Sequence, residues 1–515
     1  MRVAGRGTFG RVFEAFDVQA GEPRALKVVP AGAHEALLCD EYEQLARLRH
    51  PSLPRVFEVG RMRAALPDHG LSAGAPFFAA EWIAGDHADA RVWDGNVVDL
   101  WALLADACGA LATIHAAGLV HADVAPQNLL VAEGRVVLVD LGLATRFADD
   151  GTPRGTPAYM APEAFAGRLD PRSDLYGLAA TVVRIVGGRA PFDVPSLGSG
   201  ARGLGELVQR ILTAPTPVLH QLPRGLADLL ARMMARDPAA RPASALAVLD
   251  ELDQLAPVIA PSISRHARPR VGAPPAPAIW PGAAPWIDAV AASLAAAHAV
   301  VLVVGAADSG RRQLVDAALA RRQLDEVVRG RATLPIVAGS LDQVASALDV
   351  PAAASARAWL RGAARAMRGA RARVVVELGD DPRAGELLGW RSHARAAITR
   401  RSPSSTMRRP GEQSWPTVAT HRAPALDDAP AGREPSWPTV ATHRAPTLDV
   451  DGIASLASAM LDGTPPRSWC AGLLAASDGQ PLAAIELMRS LALTADPFGV
   501  DWSARTSAGV VELRA

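Results

Sequence analysis

The chain has 515 residues, enough for two to four domains, so one motif need not account for all of it. Its 53 basic and 53 acidic side chains cancel, which excludes a strong net field toward nucleic acid or an anionic membrane. The three cysteines, Cys39, Cys108 and Cys470, show no paired spacing. This argues against a disulfide framework or a thiolate zinc site, and we expect a reducing, cytoplasmic setting.

The first 85 residues are predicted to be mainly β structure. Residues 2–29 contain a glycine-rich turn followed by two strands. The spacing of apolar residues from Glu35 to Leu48 predicts an amphipathic helix that ends before Pro51. Short strands are predicted at Val56–Val59 and Phe77–Ile83. These elements together indicate a small β-rich lobe.

Beyond Gly85 the pattern becomes helical, and Val97 to Ala117 is apolar on most faces, as in a buried helix. A Pro- and Ala-rich stretch then predicts a linker. We divide the chain into a first domain, a linker, an α/β region, a disordered linker and a helical C-terminal segment. Their ranges are 1–255, 256–286, 287–400, 401–450 and 451–515.

The polar stretch contains a repeat, because the 11 residues at 414–424 recur at 436–446. Each copy contains proline, and two copies are too few to stack into a repeat fold. We interpret the repeat as a duplicated piece of disordered linker.

Near the N-terminus, Gly5, Gly7, Gly10 and Val12 have the G-x-G-x-x-G-x-V spacing of a strand-turn-strand lid. Glycine lacks a Cβ atom, so the backbone N–H groups of such a lid can approach phosphate oxygens. Taken alone, the pattern is equally consistent with an ordinary glycine-rich turn.

Lys27 ends the apolar strand that follows the lid and is the only lysine in a chain with 52 arginines. A guanidinium and an ammonium group are not interchangeable, because the ammonium is a compact point charge. The single lysine therefore marks a site where arginine does not serve, such as a bridge between two phosphates.

Two acidic motifs follow in the second lobe. Asp123 and Asn128 lie within His-Ala-Asp-Val-Ala-Pro-Gln-Asn, and Asp140 opens an Asp-Leu-Gly motif after an apolar strand. The whole series, in order and spacing over about residues 2–252, resembles the protein kinase family. This resemblance implies an α+β bilobal kinase fold, with a β-rich N-lobe and a helical C-lobe.

The resemblance also assigns roles in binding ATP. It implies that Lys27 contacts the α- and β-phosphates and is held there by Glu41, rather than by Glu35 or Glu43. It further implies that Glu81 and Ile83 offer backbone groups to adenine, next to a small gatekeeper residue, Ala80.

In the second lobe, the resemblance implies that Asp123 orients and deprotonates the attacking hydroxyl, while Asn128 and Asp140 hold Mg²⁺ or Mn²⁺. Residues 155–163 resemble the loop that faces the protein substrate. Asp174 matches an aspartate that braces the catalytic loop, and Glu163 with Arg241 matches a buried ion pair.

The implied function is a serine/threonine kinase of bacterial signalling that transfers the γ-phosphoryl of ATP to protein hydroxyls. Its partners would be protein substrates, and residues 400–406 and the repeat offer hydroxyls for autophosphorylation. The alternative is a protein without catalytic activity, namely an ATP-binding pseudokinase that acts as a regulatory scaffold.

Two positions depart from the commonest family pattern. Ala122 stands where arginine usually precedes the aspartate, and Ala125 stands where lysine is usual in serine/threonine kinases. Without the arginine, a phosphorylated activation segment has no obvious cation to pair with, so we expect activity that does not depend on phosphorylation at residues such as Thr152. Loss of the lysine is expected to weaken charge stabilisation near the γ-phosphate.

The second half begins with an apolar strand, Val300–Val304, and the G-x-x-x-x-G spacing of a P-loop, but Arg311 and Arg312 replace its Lys and Ser/Thr. Residues 373–381 resemble a Walker B strand, although a buried core strand explains them equally well. Residues 477–488 resemble a helical segment of signalling ATPases. We interpret the region as a degenerate ATPase-like scaffold.

A competing interpretation takes Ala289 to Ala307 as a membrane span, which would make the chain a receptor kinase. The length is sufficient, but alanine is nearly neutral toward lipid and His298 lies in the middle of the segment. A membrane partner is therefore not expected.

Overall fold

The computed structural model of the chain forms two compact units, built mainly from residues 1–278 and 279–515. We describe each unit by itself. The described residues are 2–6, 10–18, 20–32, 34–90, 93–132, 134–146, 153, 155–194, 200–259, 280, 282–295, 299–306, 309–331, 336–347, 373–378, 419–421, 439–461, 464–491 and 497–499.

The first unit begins with an antiparallel sheet of five strands in the order β1-β2-β3-β5-β4. The strands are β1 (Arg2–Arg6), β2 (Arg11–Asp17), β3 (Glu22–Val28), β4 (Val56–Arg61) and β5 (Pro76–Glu81). Helix α1 (Glu35–Arg47) packs on β4 and β5 through Leu38, Tyr42 and Leu45, which are all buried. The predicted β-rich lobe is therefore observed.

The rest of the first unit is mainly helical, as expected. Its helices are α2 (Val97–Ala116), α3 (Pro171–Gly187), α4 (Ala201–Thr213), α5 (Arg224–Met233) and α6 (Ala245–Ile259). Five short strands complete it: β6 (Asp86–His87), β7 (Leu119–Val120), β8 (Leu129–Ala132), β9 (Arg135–Leu138) and β10 (Thr145–Arg146). They form the sheets β6-β8-β9 and β7-β10, which fix the loops that carry the polar motifs.

Helix α2 forms much of the core of this lobe, with Leu104, Leu111 and Ile114 fully buried. Among the helices of the described ranges, it is the one whose length and hydropathy would allow a membrane span, and 67% of that stretch is buried within the folded chain. Burial in a protein core accounts for the same apolar composition.

The second unit alternates helices with parallel strands. Its strands are β11 (Ala299–Val304), β12 (Ile336–Ser340), β13 (Arg373–Leu378), β14 (Ala419–His421) and β15 (Thr439–Arg444). Its helices are α7 (Ala284–Ser293), α8 (Arg311–Val328), α9 (Leu341–Ala347), α10 (Val450–Met460), α11 (Arg467–Ser477) and α12 (Pro481–Leu491). The sheet order is β12-β13-β11-β15-β14, and only the β14–β15 pair is antiparallel.

The expected linker at 256–286 is wrong at both ends. Helix α6 continues to Ile259, and the second unit already includes Trp280, whose side chain is 3% exposed. The Trp280 ring packs against Gly310 so closely that a Cβ atom there would lie 2.6 Å from the ring. Alanine and proline in this stretch suggested a linker, but Trp280 anchors its C-terminal end to the second unit.

The interpretation of the repeat as disordered linker is wrong for its second copy. Residues 439–444 form β15, which pairs in parallel with β11 along the whole strand. The prolines of this copy, Pro438 and Pro446, flank the strand and so remove none of its ladder hydrogen bonds. Most of the first copy lies outside the described residues; Ala419–His421 of that copy form β14.

His443 of the second copy is buried against α7. Its Nε2 lies 2.9 Å from Ser293 Oγ, and Ser293 Oγ in turn donates to the carbonyl of Ala289. Burial lowers the pKa of His443 to about 4, so the ring is neutral at physiological pH. Because the serine proton points at the carbonyl, the His443 Nε2–H donates to the hydroxyl.

The membrane-span interpretation of Ala289 to Ala307 is wrong. Helix α7 ends at Ser293 and strand β11 begins at Ala299, so the apolar stretch is divided between two elements of an α/β unit. All three cysteines are free and buried.

Candidate active site

Lys27 lies at the centre of a buried ionic cluster in the first unit. Its Nζ is 2.8 and 2.6 Å from the two carboxylate oxygens of Glu41 and 2.7 Å from Asp140 Oδ1. Burial by itself lowers the pKa of this ammonium group, but the two carboxylates outweigh that effect and raise the pKa above its ordinary value. The lysine therefore stays charged in a site that is only 6% exposed.

Glu41 reaches Lys27 because it lies on the buried face of α1, where its side chain is 3% exposed. Burial raises the pKa of Glu41 to about 7, against the opposing effect of Lys27. The two other glutamates considered from the sequence have different partners: Glu35 pairs with Arg61, and Glu43 pairs with Arg47. Of these three glutamates, Glu41 is therefore the one whose carboxylate contacts Lys27.

Asp140 adopts a left-handed backbone with φ of 64°, which turns its carboxylate toward Lys27. The next residue, Leu141, is 1% exposed and belongs to the core. A Cβ atom at Gly142 would lie 3.0 Å from Asp140 Oδ1 and 3.2 Å from Glu41 Oε2. A side chain at Gly142 would therefore crowd both carboxylates.

Asp123 lies in the loop before β8, and three donors hold its carboxylate. Thr156 donates from its backbone N at 2.7 Å and from Oγ1 at 2.8 Å, both to Oδ1. Asn128 Nδ2 donates to Oδ2 at 2.9 Å and to the backbone carbonyl of Asp123 at 2.8 Å. These bonds fix the orientation of the carboxylate before any substrate arrives.

Asp174 of α3 stabilises the loop around Asp123 by hydrogen bonds to its backbone. The Asp174 carboxylate accepts from the backbone N of His121 at 2.8 Å and of Ala122 at 2.9 Å. His115 Nε2 lies 2.8 Å from the same carboxylate. Ala122 has φ of 66°, a conformation that costs free energy for alanine and that these two backbone bonds stabilise.

The glycine-rich lid is described in part. Gly10 is required by packing, since a Cβ atom there would lie 2.6 Å from the carbonyl oxygen of Val28. Val12 pairs with Lys27 across β2 and β3, which places the end of the lid beside the lysine. Gly5 has open space around it, and Gly7 lies outside the described residues.

The segment between the lobes contains Ala80, Glu81 and Ile83. The Glu81 N–H donates to the carbonyl of Arg55, and the Ile83 carbonyl accepts from Gly85 N. The Glu81 side chain accepts from Arg135 Nη2 at 2.6 Å, which ties the end of β5 to β9. The Glu81 N–H and the Ile83 carbonyl are therefore already hydrogen-bonded within the protein. This was not apparent from the sequence.

The expected ion pair between Glu163 and Arg241 is present. Arg241 donates two parallel bonds to the carboxylate, at 2.7 and 2.8 Å, and its side chain is 0% exposed. Further donors of the same guanidinium bond the backbone carbonyls of Ala235, Arg172 and Arg236. This pair anchors the loop that follows Thr156.

Two contributors to the site were not found from the sequence. Gln127 Nε2 donates to Thr156 Oγ1 at 2.7 Å, and His115 contacts Asp174 from the end of α2. His115 lies on a helix that the sequence shows to be apolar on most faces. Gln127 was inside a recognised motif, but nothing in its spacing indicated that it would contact a residue 29 positions away.

Asn128 and Asp140 fit a divalent cation that is shared with phosphates. They supply hard oxygen ligands, and the Asn128 amide nitrogen is turned to Asp123, which leaves its Oδ1 for a cation. Among the described residues, no group of three or more His, Cys, Asp or Glu side chains could hold a metal ion by itself. Mg²⁺ commonly takes one or two protein carboxylates and completes its shell with water and substrate phosphates, so two ligands are consistent with it.

A charged lysine on a β-rich lobe, an oriented aspartate on a helical lobe and a second aspartate between them define a bilobal phosphotransferase. Comparison with known proteins agrees, because the family profile for the protein kinase domain matches residues 1–251. The chain belongs to the protein kinase family.

Its relatives narrow the class. The chain is 32% identical over 283 residues to the serine/threonine-protein kinase PknL of Mycobacterium bovis, an alignment that covers 52% of this chain and 68% of PknL. It is 30% identical to the kinase pkn3 of Myxococcus xanthus, over 48% of each chain. It is 32% identical to PknK of Mycobacterium bovis, over 48% of this chain but 22% of PknK. The protein is accordingly a serine/threonine kinase of the type found in bacterial signalling.

Proposed function

We propose that this kinase transfers the γ-phosphoryl of ATP through the cluster of Lys27, Glu41, Asp123, Asn128 and Asp140. The observation that carries the proposal is the position of the only lysine: its ammonium is buried, charged and bonded to both Glu41 and Asp140. A surface lysine would have none of these features. The pseudokinase alternative shares the cluster but not the transfer, so movement of label from γ-labelled ATP to protein separates the two.

In the proposed reaction, the substrate hydroxyl oxygen forms a bond to the γ-phosphorus while the bond to the β-phosphate oxygen breaks, and ADP leaves. Asp123 orients the hydroxyl and accepts its proton. Lys27, held by Glu41, contacts the α- and β-phosphates, and the glycine-rich lid from Gly5 to Gly10 covers them. Mg²⁺ or Mn²⁺, held by Asn128 and Asp140, would neutralise phosphate charge when bound.

We propose that activity does not depend on phosphorylation of the activation segment. The residue before Asp123 is Ala122, whose methyl group offers no cation to a phosphate. Replacing Thr152, which lies outside the described residues, with alanine is expected to leave the rate within about twofold of the wild type, because no charge-assisted contact is lost. Steady-state rates of the two proteins test this, and a loss of tenfold or more would contradict it.

We propose that the second unit has a P-loop-like fold whose phosphate site is closed. The loop after β11 lies at the carboxyl end of the central strand, where parallel sheets bind ligands. Arg311 turns back into this loop and donates to the carbonyls of Gly305 and Leu378. The site is thus filled by a side chain that joins the ends of β11 and β13.

Arg312 closes the adjacent cation position in the same proposal. Its guanidinium is 2.8 Å from Glu377 on β13 and 3.3 Å from Asp316. A carboxylate in a Walker B strand normally serves a metal ion, whereas Glu377 is already paired with a protein cation. This arrangement supports a scaffold role for the unit.

A photoreactive ATP analogue tests the closed site. In the wild-type chain we expect cross-linked peptides from the first unit and none from residues 299–331 or 373–378. The double variant Arg311→Lys, Arg312→Ser restores the P-loop residues and is expected to gain a cross-link there. Mass spectrometry of the digested protein identifies the cross-linked peptides of the wild type and of the double variant. Labelling of the second unit in the wild type would contradict the proposal.

The remaining proposals concern partners and location. We propose a cytoplasmic kinase that acts on other proteins and on its own Ser/Thr-rich residues 400–406, without nucleic acid or membrane as partner. The equal numbers of acidic and basic residues and the buried, free cysteines support this setting.

A further inference from the structure

The hydrogen bonds around Asp123 include one donated by Gln127, a residue to which no role has yet been assigned. Gln127 lies four residues after Asp123, on the exposed side of the 3₁₀ turn Pro126–Asn128. Its amide nitrogen is 2.7 Å from Thr156 Oγ1, and that oxygen is 2.8 Å from Asp123 Oδ1. The three side chains therefore form a line that ends on the proposed catalytic base.

The direction of the protons in this line is set by chemistry. An ionised carboxylate only accepts hydrogen bonds, so the single hydroxyl proton of Thr156 must point at Asp123. The oxygen of Thr156 can then act only as an acceptor toward Gln127. The glutamine must present its NH₂ group, which fixes the orientation of its amide as well.

The glutamine is the available donor for this role among the loop residues that follow Asp123. Val124, Ala125 and Pro126 have apolar side chains, and the amide of Asn128 is directed to the other oxygen of Asp123. Without Gln127, the Thr156 hydroxyl could rotate away from the carboxylate. Thr156 itself stays near because Gly155, with φ of 111°, brings its backbone against the carbonyl of Ala122.

We propose that Gln127 is a positioning residue for phosphoryl transfer: it holds the Thr156 hydroxyl proton on Asp123 and thereby fixes the carboxylate that receives the substrate proton. This inference rests on the proposed role of Asp123. The glutamine orients the base without adding a positive charge beside it. A cationic donor at the same place would orient the base and would also add a positive charge beside it.

A series of side chains of similar length tests the proposal. Gln127→Glu replaces a donor with an acceptor at neutral pH, so it competes for the Thr156 proton, and kcat is expected to fall about tenfold or more with an unchanged KM for ATP. Gln127→Lys keeps a donor and is expected to retain kcat within about threefold. Equal losses in both variants would overturn the proposal.

Two further measurements separate proton direction from simple charge or folding effects. As the pH falls and the new glutamate takes up a proton, it becomes a donor again, so the ratio of Gln127→Glu to wild-type activity is expected to rise. In a Thr156→Val background the hydroxyl is gone, and Gln127→Glu should have little further effect on kcat. A ratio that is flat with pH, or an undiminished loss in the Thr156→Val background, would overturn the proposal.

The wild type and Asp123→Asn, assayed beside these variants, distinguish failure of the role of Gln127 from failure of the proposed function. An active wild type, an inactive Asp123→Asn and a fully active Gln127→Glu would leave the proposed function standing and overturn the role of Gln127. An inactive wild type would overturn both.

Discussion

Replacing Asp123 with asparagine is expected to lower kcat by about 10²- to 10⁴-fold, the usual contribution of a positioned general base. The amide has nearly the same shape, but it cannot accept a proton from the substrate hydroxyl. Its NH₂ group would also face one of the donors that now hold Asp123, namely Thr156 and Asn128. ATP binding should change little, because the phosphate contacts are assigned to Lys27.

The measurement is the initial rate of label transfer from γ-labelled ATP to a generic protein substrate, together with ATP affinity by calorimetry. Asp99→Asn, an exposed position on α2, removes the same charge far from the loop and is the matched control. If Asp123→Asn transferred phosphate at the wild-type rate, Asp123 would not be the base. No transfer by the wild type would favour the pseudokinase.

The second large effect is expected on stability, at the buried pair of Arg241 and Glu163. Arg241→Ala removes the partner of a carboxylate whose side chain is 11% exposed, and it also removes the hydrogen bonds that the guanidinium donates to the carbonyls of Ala235 and Arg172. Breaking a buried pair from one side costs about 3 to 5 kcal/mol. For a domain of this size we expect the melting temperature to fall by about 6 to 20 °C.

Thermal unfolding of the full chain measures this effect. The transition of the first unit is recognised as the one whose melting temperature changes when ATP is added. Arg232→Ala breaks the pair with Glu251, where the arginine side chain is 50% exposed, and should cost at most about 1 kcal/mol. Replacing both buried partners, as Glu163→Gln with Arg241→Met, should cost less than Arg241→Ala alone, because no charge is left unpaired. Equal shifts for Arg241→Ala and Arg232→Ala would contradict the argument.

The sequence was informative about the first unit because its polar residues are separated by elements of fixed length. Lys27 ends one strand, Asp140 follows another, and Glu41 lies on helix α1, which packs on the sheet. Spacing of this kind predicts which residues meet. It could not predict that Gln127 and Thr156 meet, since that contact depends on how Gly155 turns the backbone of a loop.

The second unit was less predictable from its sequence. Proline and a polar composition suggested that both copies of the repeat were linker, yet β15 gains a parallel neighbour in β11 and a buried partner for His443 in Ser293. Tertiary contacts of this kind outweigh local propensity. Likewise, Trp280 belongs to the second unit because its ring packs against Gly310, which lies 30 residues further along the chain.

The single lysine has a practical consequence for chemical labelling. Reagents directed at ε-amino groups have only Lys27 as a target in this chain, and that amine is bonded to two carboxylates inside the nucleotide cleft. An acyl-phosphate derivative of ATP should therefore acylate one defined position, and free ATP should protect it. The decrease in the acylated fraction of Lys27 when ATP is added, measured by mass spectrometry, would then report the fraction of molecules whose cleft is occupied by nucleotide. No other lysine would contribute background.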